Sequence, residues 1–272
     1  MVDLRQTKEW ADWLIATGWK VDQVSSVKGK PMQIFIRPMP LFPIAFFKFQ
    51  RIEEQINWQS LEKIKRKYHV WWSVIEPLSG KIVPDIKRHG YRLTKEPYLP
   101  TKTRIIDLKK SENILQEEMS ENFRRIIRKN IRDRGVMITD NEFYVGWKKW
   151  AKSYILTKGQ FDSLVKSFKN KVEFWAYKED GIILSAIMLL FTADSCFYYQ
   201  TWTSDLGRKS SEHVALTWET IRRAKKLKKD FYNFEGIQDT RFPLAKWDGF
   251  TEFKRRFGGY ELEYPGSFLK WF

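Results

Sequence analysis

Residues 231–259 read FYNFEGIQDTRFPLAKWDGFTEFKRRFGG. The stretch decides the fold because it holds a short aromatic strand, a Gly-containing turn, a loop and a basic helix closing in Gly-Gly as one compact unit. Such a unit can aim a lysine, Lys254, at a reacting group.

Working outward, Glu212 to Lys229 carries Val214, Trp218, Ile221 and Ala224 at three- and four-residue spacing, which gives a helix with one buried stripe. Ahead of it, strands are expected at Val172 to Tyr177, Ile182 to Thr192 and Cys196 to Thr203, after helical segments over Ser111 to Arg134 and Tyr144 to Lys169. The first hundred residues follow a similar plan. An amphipathic helix over Thr7 to Thr17 stops at Gly18. The runs VDQVSSV, MQIFIRP and IAFFKF then read as an antiparallel meander between Gly- and Pro-containing turns. A helix at Trp58 to Tyr68, an apolar strand at Val70 to Ile75, a short helix before Gly90 and a strand at Thr103 to Leu108 complete the unit. Two such units predict an α+β chain of duplicated plan, divided as 1–107 and 108–272, each with a mixed, mostly antiparallel sheet flanked by helices. No low-complexity linker separates them, so the halves are expected to pack tightly.

Composition bounds the function. With 43% hydrophobic residues, among them 13 Trp, 11 Tyr and 20 Phe, 272 residues bury a substantial core. Forty-nine Lys and Arg against 33 Asp and Glu leave a net charge of +16. That excess favours a polyanion: a nucleic acid, a nucleotide diphosphate or, by peripheral contact, an anionic membrane. A single cysteine, Cys196, excludes an internal disulfide and a thiolate-rich zinc site. The opening MVDLRQTKEWADWL lacks the apolar run of a signal peptide, and GIILSAIMLLFTA (181–193) falls short of the ~18 residues of a membrane span. A cytoplasmic, monomeric protein is expected, with that run as buried β structure.

Candidate sites follow from charge and geometry. In FRRIIRKNIRDR (123–134), Arg124, Arg128 and Arg132 recur at four-residue spacing, a row of guanidiniums suited to phosphates or equally a solvated basic face. In LGRKSSEH (206–213), Arg208 and Lys209 precede a serine-capped helix start, where an anion can sit although capping alone explains most of the pattern. His69, His89 and His213 stand alone, and no nucleophile elbow is present. Neither a metal nor a cofactor is called for, and catalysis would rest on positioning and on electrostatic stabilisation. Most of the aromatic residues, Tyr198, Tyr199, Trp202 and Trp247 among them, read as core.

NFRRIIRKNIRDRGVMI, HVALTWETIRRAKKL, FYNFEGI and GFTEFKRRFGG, in that order, resemble the basic helix and Gly-Val-x-Ile strand, the Trp-bearing helix, the Tyr-Asp-Phe-x-Gly-Ile strand and the Phe-Lys helix of the Fem family of non-ribosomal peptidyltransferases. WADWLIATGWKV and TRIIDLKKSENIL are weaker echoes upstream. The resemblance implies two packed GNAT-like domains, with residues 260–272 returning to the first, in the shorter type without a helical arm. It implies aminoacyl transfer from aminoacyl-tRNA to the peptide of a peptidoglycan precursor, nucleotide- or lipid-linked. The matching pair Phe253 and Lys254 is then catalytic, with the ammonium near the developing oxyanion. Thr157 and Lys158 match the family's Thr-x-Arg stretch, with Lys where Arg is expected, and Tyr199 falls near a tyrosine that contacts the precursor. Arg128 and Arg132 join these as precursor contacts, and Arg208, Lys209 and Arg255 as contacts to tRNA. Asn233 stands where the family pattern has Asp. Two other readings stay open: a GNAT-like acyltransferase using an acyl thioester, against which GRKSSEH lacks a Gly-rich loop, and a non-catalytic nucleic-acid-binding protein.

Overall fold

The structure is a computed structural model that describes residues 1–129, 135–151, 155–243 and 247–272. The chain divides into two compact units, one built on residues 3–101 with 239–243 and 263–272, the other on residues 102–238 and 244–262 with Met1 and Val2.

In the first unit, Thr7 accepts a hydrogen bond from the Trp10 amide and so starts helix α1 (Lys8–Ala16), whose Trp10, Trp13 and Leu14 are buried. Strands β1 (Lys20–Ser25), β2 (Pro31–Pro38) and β3 (Ala45–Ile52) form the antiparallel meander read from their alternation. Asn57 caps helix α2 (Trp58–Tyr68), and this crossover sets β4 (Val70–Pro77) parallel to β3, a pairing no tight turn can make. Helix α3 (Val83–Arg88) and strand β5 (Arg92–Leu93) follow. The core lies on one face of the sheet, where Phe47, Phe49 and Ile75 meet Leu61 and Ile64 of α2 and Ile86 of α3.

The second unit opens with β6 (Lys102–Asp107), helices α4 (Glu112–Glu117) and α5 (Glu121–Lys129), and β7 (Gly135–Met137). Helices α6 (Asp140–Trp150) and α7 (Lys158–Phe168) precede strands β8 (Val172–Glu179), β9 (Ile182–Phe191) and β10 (Ser195–Thr203). A short helix α8 (Asp205–Lys209), the long α9 (Glu212–Lys226), β11 (Phe231–Gly236), α10 (Asp248–Arg255) and β12 (Tyr260–Glu263) complete it. The last strand, β13 (Phe268–Trp271), pairs with β4 and β5 in the first sheet. The sheets run β1-β2-β3-β4-β13-β5 and β12-β6-β11-β10-β9-β8-β7. Each contains three antiparallel strands, then a helix, then a strand parallel to the third, so the duplicated plan is present: β3, α2 and β4 correspond to β10, α9 and β11.

Several local expectations are corrected. The strand read at Thr103 to Leu108 belongs to the second sheet, because its partner is β11, more than a hundred residues later. The helix expected over Ser111 to Arg134 is interrupted: Ser120 accepts from the Phe123 amide and starts α5 afresh. The segment Tyr144 to Lys169 is two helices rather than one. Thr157 with Gln160 forms a reciprocal capping box, a device that starts a helix. Likewise LGRK belongs to helix α8, capped by Ser204, while Ser211 precedes α9 without a side-chain cap. Gly207 sits in α8 because a Cβ there would lie 2.3 Å from the Leu184 carbonyl oxygen. Among the described residues no helix is long and apolar enough to cross a membrane.

Candidate active site

The parallel strand pairs of the two sheets differ in how far they stay joined. In the first, β3 and β4 stay paired from Ala45↔Val70 to Ile52↔Pro77. In the second, β10 and β11 pair only at Ser195↔Phe231, Cys196↔Tyr232 and Phe197↔Asn233. Beyond that point β10 stays with β9 through a bulge between Tyr198 and Gln200, and β11 stays with β6 through a bulge between Asn233 and Gly236. Each strand keeps its outer neighbour, so the sheet opens between them.

The bulge in β11 is built by side chains. Glu235 adopts a left-handed φ of 58°, an uncommon state for a residue with a Cβ. Asn233, buried, holds it there: its Oδ1 accepts from the Glu235 amide at 2.7 Å and lies 2.6 Å from the Thr103 hydroxyl. That hydroxyl is also 2.5 Å from the Glu235 carbonyl oxygen, so one proton serves two acceptors. The work of position 233 is that of an acceptor, which an amide oxygen does as well as a carboxylate. Asn233 thus supplies the acceptor of this bulge where the resembled pattern has Asp.

The bulge presents the Gly236 carbonyl to Lys254. Lys254 is buried on α10, and its Nζ donates to that oxygen at 2.6 Å with the Phe250 ring 4.8 Å away. Burial pulls its pKa down to about 7, against the opposing pull of the Glu235 carboxylate. One carbonyl occupies one of three ammonium N–H bonds, which leaves donors for an anionic centre. Helix α10 is locked from both ends. The Gln238 amide donates to Thr251 Oγ1 at 2.8 Å, and the chain after the helix turns on Gly258 and Gly259, at φ of 81° and 76°. A Cβ on Gly259 would lie 2.1 Å from the Ile105 carbonyl oxygen, so only glycine fits.

Phe253, one residue before the lysine, packs against Phe123, Phe257 and His213, with ring centroids 5.7, 5.3 and 5.3 Å apart. His213 Nε2 lies 2.7 Å from the Tyr198 hydroxyl, and among the described residues no group pairs with its shielded Nδ1. Burial lowers the His213 pKa to about 4 and raises that of Tyr198 to about 12, so the pair is neutral across the physiological range. The Tyr198–His213 pair thus backs the aromatic wall from which Phe253 and Lys254 project. Chain order alone gives no sign of it, because His213 sits on α9 and has no second titratable residue at ligand spacing.

The other residues singled out from sequence fall as follows. Tyr199 occupies the bulge of β10, adjacent to Tyr198, which is the one that joins the Phe253 cluster. Thr157 caps α7, and Lys158 pairs with Asp162 over the Tyr144 ring. Arg128 is exposed on α5, and Arg132 lies outside the described residues. Arg208 bonds the Thr203 carbonyl oxygen, Lys209 is exposed, and Arg255 pairs with Glu261 at 2.7 Å. Of all these, the structure brings together Phe253 and Lys254, on one helix. No group of three His, Cys, Asp or Glu among the described residues could hold a metal ion.

Comparison with known proteins places this geometry in context. The FemAB family model matches residues 97–271. No curated protein sequence matches. Among solved structures, FemX superposes with a TM-score of 0.81 at 14% identity, covering 99% of this chain and 92% of FemX. A tandem GNAT protein from the clavulanic acid biosynthesis pathway gives 0.56 at 10% identity over 99% and 95% of the two chains. The C-terminal domain of a putative lysylphosphatidylglycerol synthetase from Agrobacterium fabrum gives 0.59 at 12% over 98% and 88%. At these identities the structures establish the tandem GNAT-like fold. With its family model covering most of the sequence, the chain belongs to the FemAB family and is, at family level, an acyltransferase of the Fem type.

Proposed function

We propose that this protein transfers an amino acid from aminoacyl-tRNA to the peptide of a peptidoglycan precursor. The observation that carries the reading is Lys254, a buried ammonium held on the Gly236 carbonyl beside the opening between β10 and β11. The amine of the precursor peptide attacks the ester carbonyl of the charged tRNA. A C–N bond forms, the ester C–O bond breaks, the tRNA 3′-end leaves as a hydroxyl, and the proton shed by the amine is the one that hydroxyl gains. Negative charge collects on the carbonyl oxygen between these events, and Lys254 donates to it. Phe253 keeps the lysine's helix seated on the aromatic wall. Arg128, Arg132, Thr157, Lys158 and Tyr199 are proposed contacts to the precursor, and Arg208, Lys209 and Arg255 to tRNA.

Replacing Lys254 with Met tests the assignment. Transfer falls by ~10²- to 10³-fold, the cost of one oxyanion donor, while binding of charged tRNA persists. Unchanged transfer sinks the catalytic role of Lys254. Offering charged tRNAs and acyl thioesters in parallel, with the product read by mass, separates the donor classes. A protein that binds tRNA yet adds no mass with any donor is a binding module.

A further inference from the structure

One end of the first sheet is apolar, exposed and ringed by cations. The parallel strands β3 and β4 both begin there, β13 ends there, and the β2–β3 turn closes there. Backbone hydrogen bonds tie the pieces together: Ala45 N to His69 O at 3.1 Å, Met39 N to Ile44 O at 2.9 Å and Phe272 N to Trp71 O at 2.8 Å. At this end Leu41 is 86% exposed, Phe42 62%, Trp71 55% and Trp271 63%. Met39 and Phe272 are exposed beside them. Scattered surface apolar residues need no explanation, whereas a contiguous group on one edge does.

The charge around this edge is predominantly positive. The three segments that build it, RPMPLFPIAFFKF (37–49), KIKRKYHVWWSVI (63–75) and YPGSFLKWF (264–272), contain no Asp or Glu. Lys20 and Arg37 stand on β1 and β2, Arg66 and Lys67 close α2, and Lys65 Nζ lies 3.5 Å from the centroid of the Phe272 ring. Lys67 is partly neutralised by Asp22 and Lys65 by Glu62, and the remainder is unopposed by any carboxylate from the three segments. Beside Trp271 a recess of about 490 Å³ is lined by Arg92, Leu93, Lys270 and Trp271, with room for a phosphate-bearing headgroup. Bulky apolar tips, tryptophans and a collar of Lys and Arg are what the interface of an anionic bilayer selects: rings and aliphatic chains enter the headgroup boundary while cations meet lipid phosphates. A nucleic acid can stack bases on Phe42 or the tryptophans but gains nothing from the aliphatic Met39 and Leu41, and a water-soluble protein partner does not require every flanking segment to be free of acid.

We infer that this end of the first unit is a docking surface for an anionic phospholipid membrane, with the Leu41–Phe42 turn and the exposed rings of Trp71 and Trp271 inserted at the interface. Resting on the transfer reading above, the docked enzyme meets a precursor carried on a lipid rather than one free in solution.

The test is co-sedimentation of the full chain with vesicles of phosphatidylglycerol and phosphatidylethanolamine, against vesicles of phosphatidylcholine, without substrates. The chain binds the anionic vesicles, and the double substitution Leu41→Glu with Phe42→Glu weakens binding about tenfold or more. The control Lys148→Gln with Lys149→Gln lowers the net charge by the same two units at exposed positions on α6. It leaves vesicle binding within about twofold of the wild type. Absence of binding to anionic vesicles overturns the inference, as does equal weakening in both variants, which would reduce the effect to net charge. Dimerisation that the Glu substitutions abolish, without vesicle binding, assigns the edge to a second copy and also overturns it. Because sedimentation needs no transfer and transfer to a water-soluble precursor needs no vesicle, failure of either reading is seen separately.

Discussion

The role proposed for Lys254 places the chemistry on one ionisable group, whose protonation has opposite consequences for stability and for that role. Its pKa is near 7 in the folded chain against an ordinary lysine value when unfolded. Between pH 7 and about 10.5 the unfolded chain therefore holds a proton that the folded chain has given up, so stability contributed by this site rises with pH through that window. Denaturant unfolding of wild type and Lys254→Met at pH 7, 8 and 9 should show the steeper rise in the wild type. The Met variant should be the more stable of the two near pH 7, a buried charge having been removed. Catalysis runs the other way. With the ammonium as the proposed donor, kcat/KM of the wild type is expected to fall as pH climbs above about 7, and a flat profile to pH 9 contradicts that role. Asn233 bears on the same site through geometry alone. Asn233→Ala strands the Glu235 amide and removes an acceptor from Thr103, for a loss of ~1–3 kcal/mol in unfolding free energy. An unchanged midpoint would show the bulge to be held by something else. Lys254 and its helix were legible in sequence because a basic residue between Phe253 and Phe257 is a local pattern. The Gly236 carbonyl that orients it was not, since no local pattern reports a bulge that Asn233 holds together with Thr103 of β6.

At the scale of elements, the opening between β10 and β11 depends on α10 lying where Gly258 and Gly259 allow. Gly259→Ala must force a left-handed φ and displace the Ile105 carbonyl, a cost of ~2 kcal/mol or more. The expected outcome is a lower thermal midpoint together with a loss of transfer beyond that explained by the unfolded fraction. Ala tolerated at this position would mean that β6 gives way. Helices with both a stripe and a cap, α1 and α2, were readable to within a residue or two, because the stripe and the cap are both local. The breaks after α4 and after α6 were not. Continuous helix-forming composition hides a capping serine or threonine until its amide partner is seen. The Tyr198–His213 pair escaped notice for a related reason. Fifteen residues separate its members, and only the packing of α9 against β10 joins them.

For the molecule as a whole, a net charge of +16 commits any tRNA complex to counterion release. Affinity for charged tRNA should fall by about tenfold or more between 50 and 200 mM salt, linearly in the logarithm of salt concentration. A salt-independent affinity removes the polyanion as the reason for the charge.

The sequence by itself determined the period, length and order of most elements, the absence of disulfide chemistry, the excess of positive charge and the one lysine worth testing. All of these are written in residues a few positions apart. Tertiary structure alone decided that Lys102–Asp107 completes the second sheet and that β12 stays there beside β6 while β13 joins the first sheet. It also decided that β10 and β11 part after three pairs, and that apolar tips from three distant segments share one edge. These outcomes depend on which strand finds which partner across stretches of chain far longer than any local pattern. That choice is made by the burial of whole faces, which no local pattern records.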